Sequence, residues 1–357
     1  MNYELDEDCR LLADSVARFV ARNGAPQSTA APSEWARLAE LGWLGVPHPP
    51  ELGGFGLGAV GGMIVAEGLG AAAHPAPYVD RVVGCGRALA HCDAAESLTA
   101  LMEGRRRLAF AFYGAGRGYE LTGAGLVAVE RAGRFELNGL KANATGIDGA
   151  DACLVLARLE GRAALFEVPL DLAGVHVARH LFADGRDAAR IEFRGVRVPA
   201  ARLLRADADA MVQDVLAHLL LARAADSIGS MQVLFDLTLA HARARNQFGR
   251  PLAAFQELQF RIVDMWIKLD EARSLVATAS MALDADRSDA RRLARMAWVQ
   301  ATWSGRLIRE EAVHIHGAMG MTDECAVGAH VKRLLVNELL HGGPDWHLGG
   351  CRQADAA

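Results

Sequence analysis

Apolar positions recur at helical spacing near the start of the chain, where Leu11, Leu12, Val16, Phe19 and Val20 predict an amphipathic helix over residues 5–22. "SEWARLAELGW" predicts a second helix with Ser33 as its N-cap, and a glycine-rich connection follows before a third apolar, helix-forming run. From about residue 108 the pattern changes to short β-rich runs, "LAFAFY", "LVAVE", "RFELNGLKA", "ACLVLAR", "AALFEVPL", "VHVARH" and "ARIEFRGVRVP". Several alternate apolar and polar residues, and the Asn-Gly of "ELNGLK" predicts a tight hairpin. Their close spacing predicts an antiparallel sheet or barrel rather than βαβ units. Beyond "VPAARLLRADADA" the helical period returns to about residue 340, with Phe255, Ile262, Trp266, Leu269 and Val276 on one predicted core stripe.

The pattern thus divides into α (1–107), β (108–205) and α (206–357), a mainly α chain around a central β domain. A length of 357 residues is enough for two or three domains with their own cores. A net charge of −5 removes the basic excess that a nucleic-acid binder shows. No apolar run reaches the roughly 18–20 residues that span a bilayer, and the acidic start does not resemble an export signal. Six scattered cysteines without a CxxC argue against a disulfide or zinc framework, so a cytoplasmic protein is expected.

Few stretches carry chemistry. "GFGLGA" (54–59) fits a loose dinucleotide fingerprint, but no predicted strand precedes it, and a turn between helices accounts for it better. His314 and His316 stand two apart, on different faces of a helix, so no metal site is expected. There is no GxSxG and no Walker A motif. "ARNQFGRPLAAFQELQF" (244–260) is different, because a guanidinium, amides and a Phe-Gly break are placed as if to meet a ligand. Arginine can pair bidentately with a pyrophosphate, while amides suit ribose or adenine edges. A capped helix–helix connection with a solvated arginine explains the same residues.

"RNQFGRPLAAFQELQFRIVDM" resembles the C-terminal signature of the acyl-CoA dehydrogenase family. "LAELGWLGVPHPPELGGFGLG" and "VAEGLGAAAHPAPYV" resemble its N-terminal domain. "FELNGLKANATGIDGADACLVLAR" and "IEFRGVRVPAARLL" resemble its middle β domain, and "AVHIHGAMGMTDECAVGAHVKRLL" its last flavin-contacting helix and loop. The resemblance covers nearly the whole chain in order and is nearest to short bacterial types, such as the pimeloyl-CoA dehydrogenase small subunit or steroid side-chain acyl-CoA dehydrogenase subunits. It implies a helical N-terminal domain, a barrel-like β domain and a C-terminal four-helix bundle. It also implies FAD, an acyl-CoA substrate and electron-transfer flavoprotein as electron acceptor. A homodimer, a homotetramer or a heterotetramer with a homologous subunit is implied as the assembly.

By position in the resembling segments, Arg245, Gln247, Phe248 and Gln256 would contact the flavin dinucleotide of a partner subunit. His314, Gly317 and Ala318 would take the adenine-side loop, with His314 in place of the family's Gln and Ala318 in place of a Gly. Thr145 falls where the family has a threonine near flavin N5, whereas Asn143 replaces a common flavin-stacking Trp. The usual Thr-Glu-Pro…Gly-Ser-Asp loop is reduced to "FYGAGRGYEL", where Tyr113 is a candidate flavin contact or a strand-edge tyrosine.

Family chemistry removes an α-proton with a carboxylate while the β-hydrogen leaves as hydride, and the base must lie within reach of that proton. Counting on from Gly320, the usual base position holds His341; the alternative one holds Leu219. Neither usual carboxylate is present. His341, with an ordinary pKa of roughly 6.5, and Asp226, a lone carboxylate on an apolar helix, are the candidates. Their plainer roles are a helix C-terminal group and an i,i+3 ion pair with Arg223. Three functions stay open: an FAD-dependent acyl-CoA dehydrogenase, a non-catalytic or flavin-sharing subunit of a heteromeric one, and an oxidase or hydroxylase variant.

Overall fold

The computed structural model describes residues 5–23, 32–92, 94–116, 118–119, 121–123, 125–322 and 325–354. In chain order the elements are α1 (Glu7–Asn23), α2 (Pro32–Glu40), α3 (Gly58–Ala71), a π-helical stretch (Val79–Gly86), α4 (Arg87–Ala90) and α5 (Ala95–Met102). Eight strands follow: β1 (Leu108–Ala111), β2 (Leu126–Arg131), β3 (Arg134–Thr145), β4 (Ala152–Leu159), β5 (Arg162–Pro169), β6 (Val175–Leu181), β7 (Asp187–Pro199) and β8 (Leu203–Arg205). Then come α6 (Asp209–Ala244), the short strands β9 (Asn246–Gln247) and β10 (Arg250–Pro251), α7 (Gln256–Asp284), α8 (Ala290–His316), α9 (Ala326–Leu340) and α10 (Pro344–Ala354). Along the chain, helices precede and follow the strands, as the change of period in the sequence predicts. Helix α2 begins at Pro32, so Ser33 lies inside it rather than at its cap; the fixed φ of proline suits a first helical position.

The residues form two compact units, Met1–Gln27 with Ala59–His74 and Leu220–Ala357, and Ser28–Gly58 with Pro75–Leu219.

In the second unit the strands run in the order β6-β7-β3-β1-β4-β5-β8, with β2 pairing with both β3 and β4. Most pairs are antiparallel, but β1 and β2 each lie parallel to β4, a departure from the purely antiparallel expectation. The core is filled from alternate positions, including Leu126, Phe135, Leu137, Val155, Phe166, Ile191, Phe193 and Val198. The expected Asn138-Gly139 hairpin is not a turn. Both residues lie inside β3 at a register shift, where Gly139 has φ 144° and a Cβ would come within 2.1 Å of the Gly125 carbonyl oxygen. Asn138 Oδ1 instead accepts from the Gly195 N–H at 2.7 Å. The β2–β3 turn is Ala132-Gly133, both left-handed, the two-residue geometry that matches strand twist. "GFGLGA" is a connection that follows a 3-10 turn at Pro50–Leu52, with Gly56 N–H bonded to the His48 carbonyl at 2.8 Å.

In the first unit α7 and α8, joined by a short turn, lie along one another, and α9 and α10 pack on α8. Along α7 the buried positions are Ile262, Met265, Leu269, Ala272 and Val276, one continuous stripe. Trp266, placed on that stripe by period alone, is 54% exposed. It belongs with exposed Phe260, Val263 and Ile267 to a second apolar face of the same helix. Helix α3 is capped by Asp284, whose carboxylate accepts from the Ala59 and Val60 N–H groups at 2.6 and 3.0 Å. It crosses α6 so closely that a Cβ on Gly70 or Gly229 would meet a carbonyl oxygen of the other helix at 1.9 Å.

Candidate functional site

Helix α6 is apolar along most of its length, and Asp226 is buried on it at 1% exposure. Ionised and buried, a carboxylate needs paired hydrogen bonds. Arg333 supplies them from α9: its Nε donates to Oδ1 at 2.9 Å and a terminal nitrogen donates to Oδ2. Asn337 Nδ2 adds a donor to Oδ1 at 2.7 Å and another to Ser227 Oγ at 3.0 Å. Arg333 also donates to the His74 carbonyl at 2.9 Å. Arg333, 107 residues away, is thus an ion-pair partner of Asp226 that the spacing along the sequence does not point to.

Four-residue steps along α9 place Asn337 and His341 on the side that carries Arg333. His341 follows the last helical residue and is buried. Its backbone is pinned, since His347 Nε2 donates to the His341 carbonyl at 2.9 Å and Trp298 Nε1 donates to the Gly342 carbonyl at 2.8 Å. Burial pulls His330 and His347 down to about 4, so both are neutral imidazoles near neutral pH. Leu219, the alternative base position, is fully buried.

The segment 244–251 forms a miniature β-hairpin, with Gln247 paired to Arg250 and a two-residue Phe248-Gly249 turn at φ 51° and 79°. Left-handed backbone is ordinary for glycine and rare for a bulky residue. Phe248 holds it while 90% exposed, so burial inside this chain does little to compensate the strain. Its ring meets Phe255 edge-on at 6.2 Å, and the Arg250 guanidinium lies 4.0 Å over the Phe255 ring. Arg245, Gln247 and Gln256 are exposed with them. His314 is exposed near the end of α8, with Nδ1 3.5 Å from a terminal nitrogen of Arg261, itself bonded to Glu311. Gly317 closes the helix at φ 65°, and Ala318 is exposed beside it.

In the β unit Thr145 ends β3 at 6% exposure, and its Oγ1 has no hydrogen-bond partner among the described residues. A buried, unanswered hydroxyl is uncommon and costs desolvation energy. Asn143 stands at a bulge with φ 48°, a conformation asparagine tolerates better than the family's Trp would. Tyr113, two residues beyond the end of β1, is buried edge-on to Phe110 and Tyr119, both at 6.4 Å. Lys141, which the sequence reading passed over, is fully buried; its Nζ donates to the Phe112 carbonyl at 3.1 Å, and burial pulls its pKa down to about 7. Among the described residues no three His, Cys, Asp or Glu side chains gather as a metal site needs. No helix among them is long and apolar enough to cross a membrane.

Known proteins agree with this architecture. The acyl-CoA dehydrogenase C-terminal domain model matches residues 210–349, and the acyl-CoA dehydrogenase N-terminal domain model matches residues 6–92. The probable acyl-CoA dehydrogenase YngJ of Bacillus subtilis is 27% identical over 367 residues, with 96% of each chain covered. The ChsE4-ChsE5 complex from Mycobacterium tuberculosis has a chain that superposes with TM-score 0.91 at 25% identity, covering 100% of this chain and 99% of that one. Butyryl-CoA dehydrogenase from Megasphaera elsdenii shares the fold at TM-score 0.90 and 20% identity, over the full length of both chains. With both terminal domains matched in order around the β domain, the chain belongs to the acyl-CoA dehydrogenase family of FAD-dependent oxidoreductases.

Proposed function

We propose that this chain takes part in α,β-desaturation of an acyl-CoA thioester as the subunit that shares a flavin with a homologous partner and leaves proton abstraction to that partner. The observation that carries the reading is the Asp226 carboxylate, both of whose oxygens are already bonded to Arg333 and Asn337. A general base must be free to turn toward the proton it removes, and this buried carboxylate is held on both oxygens. Freeing one here would leave a buried guanidinium without its counter-ion. Asp226 therefore works as a structural anchor between α6 and α9.

Two features suit FAD. The unanswered Thr145 hydroxyl can donate to a ring nitrogen or carbonyl, and the exposed hairpin offers the Arg245 guanidinium, the Gln247 and Gln256 amides and the Phe248 ring to a dinucleotide. His314, Gly317 and Ala318 would meet the adenine side, and Tyr113 would wall the flavin's surroundings. When bound, FAD supplies the hydride acceptor. Arg245 offsets the charge of the pyrophosphate, Phe248 excludes water from it, and Thr145 fixes orientation. The second apolar face of α7 suits a protein contact, and the similarity to a ChsE4-ChsE5 complex supports a heteromeric assembly. Residues 1–107, 108–205 and 206–357 act as its three functional modules. Electron-transfer flavoprotein is the proposed acceptor, and the cytoplasm the proposed compartment.

A second reading makes His341 the base, because this titratable side chain stands at the family's base position by count. Anaerobic bleaching of flavin by butyryl-CoA separates the two. The chain purified alone should not bleach, and co-expression with a homologous, base-bearing subunit should restore bleaching. Bleaching by the chain alone that His341→Ala abolishes would establish the second reading instead.

A further inference from the structure

The second unit contains a cavity of about 520 Å³ that the flavin contacts do not use. Its walls come from the Pro75–Pro77 turn, Ile147 and Leu181, and Arg81 reaches it from the π-helical stretch. Such stretches widen a helix by one residue per turn and are found disproportionately at functional positions.

Arg81 is 3% exposed. One terminal nitrogen donates to the Gly146 and Asp148 carbonyls, each at 2.7 Å, and the guanidinium lies 5.0 Å over the Trp35 ring. Gly146, at φ 66°, permits this seat, since a Cβ there would press on Arg81 Nε at 3.1 Å. Among the described residues the hydrogen bonds of Arg81 go to carbonyls and not to a carboxylate, and its Nε has no hydrogen-bond partner. Burying a guanidinium with no carboxylate in direct contact is costly, and two neutral carbonyls with the longer-range pull of Asp187 and Asp148 offset only part of it. The cost shows in its acidity, which burial lowers to about 10.

Two more arginines line the cavity, Arg107 half-buried and Arg179 exposed, and neither side chain makes a hydrogen bond or ion pair among the described residues. Asp148 and Asp187 line the cavity as well, both near enough to act on Arg81, and Asp187 Oδ2 is engaged by the Asp148 N–H at 2.8 Å. Three cationic and two anionic side chains leave one net positive charge, three minus two, in a mainly apolar wall.

We propose that this cavity binds an organic monocarboxylate, its carboxylate drawn to Arg81 and Arg107 and its alkyl or aryl body against Pro75, Pro77, Ile147 and Leu181. A single negative charge balances the lining, whereas a phosphate dianion would be repelled by Asp148 and Asp187. The apolar walls reject a small inorganic anion, which gains nothing from them.

Isothermal titration calorimetry on the full chain tests this with hexanoate, hexanamide, inorganic phosphate and coenzyme A. Hexanoate should bind, with hexanamide and phosphate each at least about tenfold weaker, the factor expected for losing one charge-assisted contact. Arg107→Gln, at the half-buried position, should weaken hexanoate about tenfold without unfolding the chain. Ala76→Trp, which fills the cavity, should abolish binding while the far-ultraviolet circular dichroism stays unchanged. Equal binding of hexanamide, tighter binding of phosphate, or undiminished binding by Ala76→Trp would overturn the proposal. Displacement of hexanoate by coenzyme A would also overturn it, by making the cavity part of the thioester cleft. None of these readouts depends on bound flavin or on turnover.

Discussion

Arg333 and Asp226 lie side by side in the helical unit, both almost wholly buried, with Arg333 Nε donating to Asp226 Oδ1 at 2.9 Å and Asn337 completing the carboxylate from the next turn of α9. Such a pair stabilises little relative to a well-packed apolar pair but is costly to break. Asp226→Ala should therefore lower unfolding stability by about 3–5 kcal/mol in urea titrations. Asp226→Leu combined with Arg333→Met should recover most of that loss. A loss under about 1 kcal/mol for the single substitution would mean that the pair is not the anchor described.

Acid should weaken the fold well above the carboxylate range. Burial holds His48, His330 and His347 near a pKa of about 4, against roughly 6.5 in an unfolded chain. Between those values the unfolded chain binds more protons, so stability is full above about pH 6.5 and falls as the pH drops toward 4. Below that window these histidines add no further slope. Asp214, held below the ordinary carboxylate range by the His91 and Arg87 hydrogen bonds against the opposing effect of burial, acts at lower pH still. His347→Gln, which keeps a donor for the His341 carbonyl, should flatten the slope between about pH 6.5 and 4.5 in urea titrations run across that range.

The α–β–α order was readable because period 3.6 and period 2 differ over windows of a dozen residues. Contacts that join distant residues were not. Asp226 is visible in the sequence as a lone carboxylate, but nothing in the sequence points to Arg333, which lies 107 residues away. Trp266 was misplaced because α7 is apolar on two faces, and a helical period cannot say which of them meets the rest of the chain. Asn138-Gly139 read as a hairpin because a local dipeptide rule takes no account of a strand pressed against Gly125. The Phe-Gly break at 248–249 was legible because φ > 0 leaves a chemical trace, whereas the two-residue strands on either side of it are too short to show alternation. Arg81 is one arginine among many in the sequence, and only the fold brings the Gly146 and Asp148 carbonyls and the Trp35 ring to it.

Thr145 gives a test with opposite signs in two assays. Thr145→Val keeps the shape and removes a buried hydroxyl that has no partner among the described residues. The flavin-free chain should gain about 1 kcal/mol in stability, since a desolvated hydroxyl is removed. Flavin affinity, followed by fluorescence quenching, should fall about tenfold if the hydroxyl is a flavin donor. A stabilised protein with unchanged flavin affinity would remove Thr145 from the site.

The second apolar face of α7 calls for a partner. Phe260, Val263 and Ile267 follow one another at three- and four-residue steps and are all exposed. Val263→Glu should leave the thermal midpoint nearly unchanged, since surface substitutions cost within about 0.5 kcal/mol. The same change should lower the mass seen by light scattering to that of a smaller assembly. Unaltered mass would leave this face to some other use.

Phe248 concentrates the flavin reading in one residue. Its left-handed backbone costs on the order of 1–3 kcal/mol, and with the ring 90% exposed only the edge-on contact with Phe255 offsets it within the chain. Phe248→Asn, with a side chain that tolerates φ > 0, should raise the stability of the isolated chain by about 1 kcal/mol. If the strained ring is retained to cover a partner's dinucleotide, the same substitution should lower flavin content in the assembled protein, read as the ratio of absorbance at 450 and 280 nm (roughly the flavin and protein maxima). Gain in one assay and loss in the other is the signature of strain held for binding. A variant that is stabler and binds flavin as before would show that the turn is an incidental feature of the hairpin.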